Sequence, residues 1–201
     1  MENAPQSKSE WQDYHEATAG QEGSGSKFAE ATMGYVVSKD LAIDLGAGSL
    51  RDSKFFANSG FKKVVAFDSS DSTVNFLNDE YRDKVNLDNR NFDQFDYPQN
   101  TFDLVYSRSS LHFIEPAKFG LVLNKILNSV KSGGILALNL LGKKDGWSDL
   151  NGMTFVSMDE MLEYLSDFEL LYSREIEKDE PPAKGGPSKH WHLIYVIARK
   201  K

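Results

Sequence analysis

The stretch AIDLGAGSLRDS, residues 42–53, decides the architecture. Leu41–Leu45 is short and apolar on both faces, as a buried parallel strand is. It runs into Gly46 and Gly48, and a helical pattern follows over residues 52–59, punctuated by Gly60. Glycines at such a junction permit the sharp turn and let a ligand approach the backbone closely.

The same residues exclude two ligand classes. No Gly-Lys-Ser/Thr follows, so this is not a loop that holds phosphates and magnesium. The third glycine of a dinucleotide fingerprint would fall at position 51, which is Arg51. Asp44 stands at the mouth of the strand, where a carboxylate repels pyrophosphate and favours positive groups. A nucleoside carrying an ammonium and a sulfonium suits that mouth.

Further strands are expected over residues 63–68, 85–87, 102–106 and 135–141, and helices over residues 28–38, 70–81, 118–130 and 158–165. Strand and helix alternating at this spacing mean βαβ units and a mainly parallel sheet. Two last strands, residues 168–176 and 192–198, follow one another without a helix and are expected to form an antiparallel hairpin at one end of the strand order. Residues 178–189 (KDEPPAKGGPSK) read as a flexible loop between them. The second strand ends in Asp68, twenty residues after Gly48, where an acidic residue accepts from both ribose hydroxyls or merely caps the next helix.

The chain of 201 residues is about one domain long, and 40% hydrophobic with 26% charged residues is enough to build a core. Its 23 basic and 30 acidic residues give a net charge of −7, which argues against a nucleic-acid partner. Cysteine is absent, so no disulfide, thiolate nucleophile or thiolate metal ligand exists. No apolar run approaches the ~18 residues of a membrane span, and the first residues lack a signal-peptide core, so the expectation is a cytoplasmic protein with no membrane partner.

Asp-Leu-Gly-Ala-Gly at 44–48, the acidic strand end at Asp68, FDLVYS at 102–107 and VKSGGILALNL at 130–140 together resemble class I S-adenosylmethionine (SAM)-dependent methyltransferases. WQDYHEATAG near the amino terminus and KHWHLIYVIARK near the carboxyl terminus are similar to small bacterial methyltransferases of the tellurite-resistance type. The resemblance covers nearly the whole chain. It implies a Rossmann-like, doubly wound α/β fold with a seven-stranded sheet, mostly parallel, whose last strand is antiparallel and inserted beside its predecessor. It implies SAM as cofactor. Asp44, Leu45, Gly46, Ala47 and Gly48 would border its methionine part, and Asp68 its ribose. Ser69, Ser70, Asn91 and Phe92 would meet the adenine, and Ser107 and Arg108 would sit between the methionine and the substrate pocket. Relatives often have Arg where Gln21 stands, which would serve the SAM carboxylate; Arg51 or Arg108 are the replacements in this chain.

Methyl transfer from a sulfonium is an in-line displacement, so alignment supplies much of the catalysis and a base is needed only when the acceptor must lose a proton. The Asn/Asp-Pro-Pro-Tyr/Phe of exocyclic-amine methylation is missing from SRSSLHF at 107–113, which points to a small-molecule acceptor. His112 is the candidate base, or a packed histidine; Arg108 is a candidate for an anionic substrate, or a partner for a carboxylate. His190 and His192 share one strand face without a third local ligand, and no metal is expected. Trp147 and Met153 would cover the pocket or simply be buried. Residues 1–27 form a polar segment in which Trp11, Tyr14 and His15 cluster, a candidate lid hinged at Gly20, Gly23 and Gly25, or a plain tail; residues 28–201 form the single methyltransferase domain. The alternatives are a non-catalytic SAM sensor or pseudoenzyme, and a nicotinamide-dependent oxidoreductase.

Overall fold

The computed structural model describes residues 7–20, 24–183 and 185–201. Two helices, α1 (Lys8–Thr18) and α2 (Lys27–Met33), precede the first strand. Then come β1 (Leu41–Leu45), α3 (Arg51–Asn58), β2 (Lys63–Phe67), β3 (Val85–Asp88), β4 (Phe102–Arg108), α4 (Pro116–Ser129), β5 (Val130–Leu141), α5 (Met158–Tyr164), β6 (Phe168–Glu180) and β7 (Lys189–Lys200).

The seven strands form one sheet in the order β3-β2-β1-β4-β5-β7-β6. The first five are parallel; β7 runs antiparallel between β5 and β6. This is a Rossmann-like sheet with its last strand inserted beside its predecessor, as the resemblance implies. Alternate residues sort to opposite faces, as strand geometry requires. Ile43, Leu45, Val105, Leu136 and Leu138 pack with Phe119, Leu123 and Ile126 of α4. Ala42, Leu104, Tyr106, Ile135 and Ala137 pack with Phe28 of α2 and Phe56 of α3. Each buried side chain of this size stabilises the fold by about 1.5–3 kcal/mol.

Three local expectations are corrected. Residues 70–81 form no α-helix but two 3-10 turns, Asp71–Phe76 and Asp79–Tyr81. Thr73 and Val74 are β-branched, Ser70 Oγ bonds the Ser72 amide, and Leu77 and Asn78 are extended, so short polar side chains outcompete the helix. Strand β5 begins directly at Val130, paired with Phe102, rather than after the glycine pair. The final hairpin is longer than the apolar pattern suggests: Glu180 still pairs with Lys189, and the connecting loop shrinks to residues 181–188. Strand β6 is the edge, and its charged run (REIEKDE, residues 174–180) is exposed, which hides its strand character from a hydrophobic pattern.

Candidate functional site

In a sheet of this order, β1 and β4 are neighbours whose crossovers leave in opposite directions, and a crevice opens at their carboxyl ends. A cavity of about 380 Å³ lies there. Its floor is the loop after β1. Gly46 has φ +78° and Gly48 φ +49°. A Cβ at Gly46 would lie 2.1 Å from Ser110 Cβ, and one at Gly48 would lie 3.1 Å from the His15 ring. Both glycines thus leave room where other chain segments close on the loop. Leu50 is also left-handed, φ +61°, and buried at the start of α3.

Two carboxylates reach the wall from the strand ends. Asp44 is buried; its Oδ2 accepts from Ser53 Oγ at 2.6 Å. Burial, and then the nearby Asp52 charge, push its carboxyl up to about 7. Asp68 Oδ2 accepts from the Gly48 amide and Oδ1 from the Ser70 amide, both at 2.8 Å. Each oxygen keeps a lone pair for a hydroxyl. Asp68 therefore stitches the β1 loop to the β2 end and still borders the cavity.

A third carboxylate, Asp52 of α3, escaped the sequence reading. It is buried and accepts from the Ser26 amide (2.7 Å), Ser26 Oγ (3.0 Å), Tyr106 Oη (2.8 Å) and Arg108 Nε (2.9 Å). No spacing rule joins positions 26, 52, 106 and 108, so only the fold reveals this network. Burial works against the Arg108 charge, but Asp52 more than offsets it and raises its pKa. Arg108 is thus committed to a buried carboxylate on the cavity wall.

Helix α1 lies across the opening. Ser7 and Glu10 form a reciprocal capping box, with Glu10 N–H donating to Ser7 Oγ at 3.2 Å and Ser7 N–H to Glu10 Oε2 at 2.9 Å. Trp11, Tyr14, His15 and Thr18, spaced i, i+3, i+4, i+7, form the face that lines the cavity. Trp11 meets Phe113 edge-on at 4.9 Å, and His15 Nδ1 lies 3.3 Å from Ser72 Oγ. Arg51 Nε and Nη2 donate to the Ser24 and Gly25 carbonyls and anchor the segment behind α1. Gln21 and Gly23 lie outside the described residues.

Of the residues expected at the cofactor, Asp44, Gly46, Ala47, Gly48, Asp68, Ser69, Ser70, Phe92, Arg108, Trp11 and Tyr14 line the cavity. Three do not. Leu45 is a core side chain whose carbonyl accepts from Ser107 Oγ and Ser110 Oγ. Ser107 is fully buried by that contact. Asn91 is exposed, its amide capped by Gln94 Oε1, and Arg90 and Phe92 take the wall on either side of it.

A second chamber of about 280 Å³ adjoins the first and shares Trp11, Tyr14, Ser109 and Phe113 with it. Ser109 stands between them in the left-handed region, φ +56°, its Oγ held by Asn139 Oδ1 at 2.9 Å. Such strain in a non-glycine residue costs about 1–3 kcal/mol and clusters at functional sites. His112 lines this chamber, 2% exposed, with Nδ1 buried and unbonded. Burial, aided by Lys189, lowers its pKa to about 3. A general base works best with a pKa near the working pH, so His112 fits a neutral hydrogen-bonding group and not the expected proton-holding base.

Trp147 and Met153 are buried together with Leu141 and Leu193, and Trp147 also faces the second chamber. His192 Nε2 meets Glu175 Oε1 at 2.6 Å, while its Nδ1 accepts from the Lys144 amide. Glu175, Glu177 and His192 each bring one ligand atom within 4.8 Å of the others, a group that leaves out His190 and that local spacing did not show. Lys144 pairs with Glu177. Among the described residues no helix is long and apolar enough to cross a membrane.

Residues 42–134 match the family model of the methyltransferase domain. That match spans a little under half of the chain, and the strand order is that of the Rossmann-like fold that its motifs imply. Among solved structures it is similar to TehB from Haemophilus influenzae, with a TM-score of 0.74 and 18% identity over 95% of this chain and 67% of that one. It is similar to 1,6-didemethyltoxoflavin-N1-methyltransferase from Burkholderia thailandensis, solved with 1,6-didemethyltoxoflavin and S-adenosylhomocysteine (TM-score 0.69, 19% identity, 100% and 93% of the two chains). It is also similar to the [4+2]-cyclase SpnF (TM-score 0.64, 17% identity, 87% and 80%), so the fold alone does not set the reaction. No curated protein matches the chain.

Proposed function

We propose that the protein transfers a methyl group from SAM to a small-molecule acceptor, with SAM in the larger cavity and the acceptor in the adjoining chamber. The observation that carries this reading is the glycine loop between two cavity-lining carboxylates, Asp44 and Asp68, at the β1–β4 crevice of a methyltransferase domain. Its chemistry fits the cofactor. Asp44 faces the ammonium of the methionine part, with Gly46, Ala47 and Gly48 close to the backbone side. Asp68 takes the ribose hydroxyls; Ser69, Ser70 and Phe92 border the adenine. Arg108 is neutralised by Asp52 and does not repel a cationic ligand.

SAM, when bound, supplies an electrophilic methyl on a sulfonium. The protein supplies position and dryness: α1 closes one side with Trp11 and Tyr14, and Ser109 sits where the two chambers meet. Helix α1 acts as the lid, because it rests on the cavity through four side chains and is tethered behind by Arg51. The acidic surface agrees with a cytoplasmic enzyme that binds neither nucleic acid nor membrane.

Calorimetry with SAM, S-adenosylhomocysteine and NADH tests the cofactor. Dissociation constants in the micromolar range, about −7 to −8 kcal/mol, are expected for the first two. Heat with NADH alone overturns the reading.

A further inference from the structure

All three tryptophans of the chain, Trp11, Trp147 and Trp191, line the second chamber. They arrive from α1, from the connection after β5 and from β7, and Phe113 and Tyr195 add two more rings. Trp147 and Trp191 meet edge-on at 5.5 Å. Aromatic walls favour an apolar or planar ligand, and they also attract cations.

The charges nearby separate these options. Lys189 Nζ already lies 4.4 Å from the Trp147 ring centre and 3.6 Å from that of Trp191, so the attraction of these two rings for a cation is already taken up. Lys189 is itself paired with buried Asp145. At the rim Lys178 is paired with Glu180, and behind the shared wall Arg108 is paired with Asp52. An oxyanion would therefore find every one of these cations already neutralised, with Glu180 beside it. The polar groups left over are the Tyr14 and Tyr195 hydroxyls and His112, whose ring is uncharged and whose Nδ1 is buried without a partner.

Resting on the cofactor reading above, we propose that the methyl acceptor is an uncharged, planar heteroaromatic molecule with a ring N–H or O–H, stacked among Trp11, Trp147 and Trp191 with that group hydrogen-bonded to His112. In the transfer, the acceptor's nitrogen or oxygen lone pair forms the bond to the methyl carbon. Sulfur keeps the electron pair of the broken bond, and the acidified N–H or O–H proton passes to water at the chamber mouth. His112 accepts the hydrogen bond that turns the lone pair toward the methyl; it is a positioning residue.

Because every tryptophan lines this chamber, intrinsic fluorescence reads its occupancy. The full chain is titrated with 4-hydroxyquinoline, selenite and putrescine, with and without saturating S-adenosylhomocysteine, and with free tryptophan as the optical control. Calorimetry follows S-adenosylhomocysteine separately. Saturable quenching by 4-hydroxyquinoline alone is expected. Trp191→Ala should weaken it at least tenfold, Trp191→Phe should regain most of that loss, and His112→Phe should weaken it about tenfold. S-adenosylhomocysteine affinity should not change in any of the three. Saturation by selenite or putrescine without 4-hydroxyquinoline, or by none of them in protein that binds S-adenosylhomocysteine, overturns the acceptor class and leaves the cofactor reading standing. Binding of 4-hydroxyquinoline without S-adenosylhomocysteine removes the cofactor reading, and the acceptor role with it.

Discussion

The two chambers share a wall and are built in opposite ways. The cofactor cavity takes most of its lining from two short runs, residues 44–52 and 67–71, each a strand end with the turn that follows. Those two runs bring carboxylates, hydroxyls and glycine backbone to it. The second chamber, proposed for the acceptor, collects rings from α1, the turn after β4, the connection after β5 and strand β7. A ligand common to many enzymes is met by contiguous backbone and fixed charge. A ligand particular to one enzyme is met by side chains that distant segments deliver, where substitution does not disturb the turn geometry. The difference teaches that family-level chemistry and individual specificity are stored at different sequence distances.

The sharpest way to break this division is to remove the group that ties both sides together. Asp52→Ala strands Arg108, Tyr106 and the Ser26 amide in a buried network. Arg108 is about one-third exposed on the cavity wall, so the loss is about 2–3 kcal/mol, mostly from the stranded buried donors, or a fall in Tm on the order of 5 °C for a chain of this size. Calorimetric melting checks it, and a loss below about 1 kcal/mol would show that the pair is effectively solvated.

Asp68→Ala should act on one chamber alone. Cofactor binding should weaken by roughly 2 kcal/mol as two hydroxyls lose a charged acceptor, while 4-hydroxyquinoline quenching stays as it was. An unchanged Kd in the folded variant would make Asp68 only the clasp between the Gly48 and Ser70 amides.

Removing α1 should touch both chambers, since Trp11 and Tyr14 line each. The cut belongs before residue 21. Ser26 donates twice to Asp52, so a deletion through residue 26 would damage the core as well. Loss of residues 1–20 should weaken S-adenosylhomocysteine binding about tenfold, or about 1.4 kcal/mol, with little change in the melting of the unliganded protein. Hydrogen exchange at residues 8–20 should slow on binding. Fast exchange in both states, with full affinity in the truncated chain, would sink the lid.

The smallest effect is one of pH. Asp44 carries a pKa raised to about 7, chiefly by burial and then by Asp52, with Asp68 adding and Ser53 and Arg108 opposing. The folded protein therefore holds a proton that the unfolded chain loses near pH 4. Stability of the unliganded protein should fall as pH rises from about 4 to about 7, and level off above. The cationic ligand prefers ionised Asp44, so its affinity should rise by a few-fold from about pH 6 to about pH 7. Asp44→Asn should flatten both slopes; an unchanged slope would place the titration elsewhere.

These predictions draw unequally on what the chain shows in one dimension. The βαβ order, the glycine turn, the acidic strand ends and the inserted last strand follow from short-range pattern and motif resemblance, because strand, turn and helix are settled within a few residues. Trp11, Tyr14 and His15 were visible as a cluster, but the helix that aligns them with Thr18 and its position over Gly48 were not. Asp52 stood at the start of the helical pattern over residues 52–59 and carried no assigned role. Asn91, Leu45 and Ser107 stood at the right offsets, and the fold turned one to solvent and two into the core.

What the sequence determined by itself is therefore the α/β frame and the cofactor loop: periodicity, glycine freedom and the spacing from Gly48 to Asp68 are local properties. What only the tertiary structure decided is which side chains face one another across it. Arg108 meets Asp52, the three tryptophans surround one chamber, and Glu175 reaches His192 through the β6–β7 pairing. These contacts join residues 17 or more positions apart. Their partners are selected by strand order and by how the layers pack, and no window along the chain contains that information.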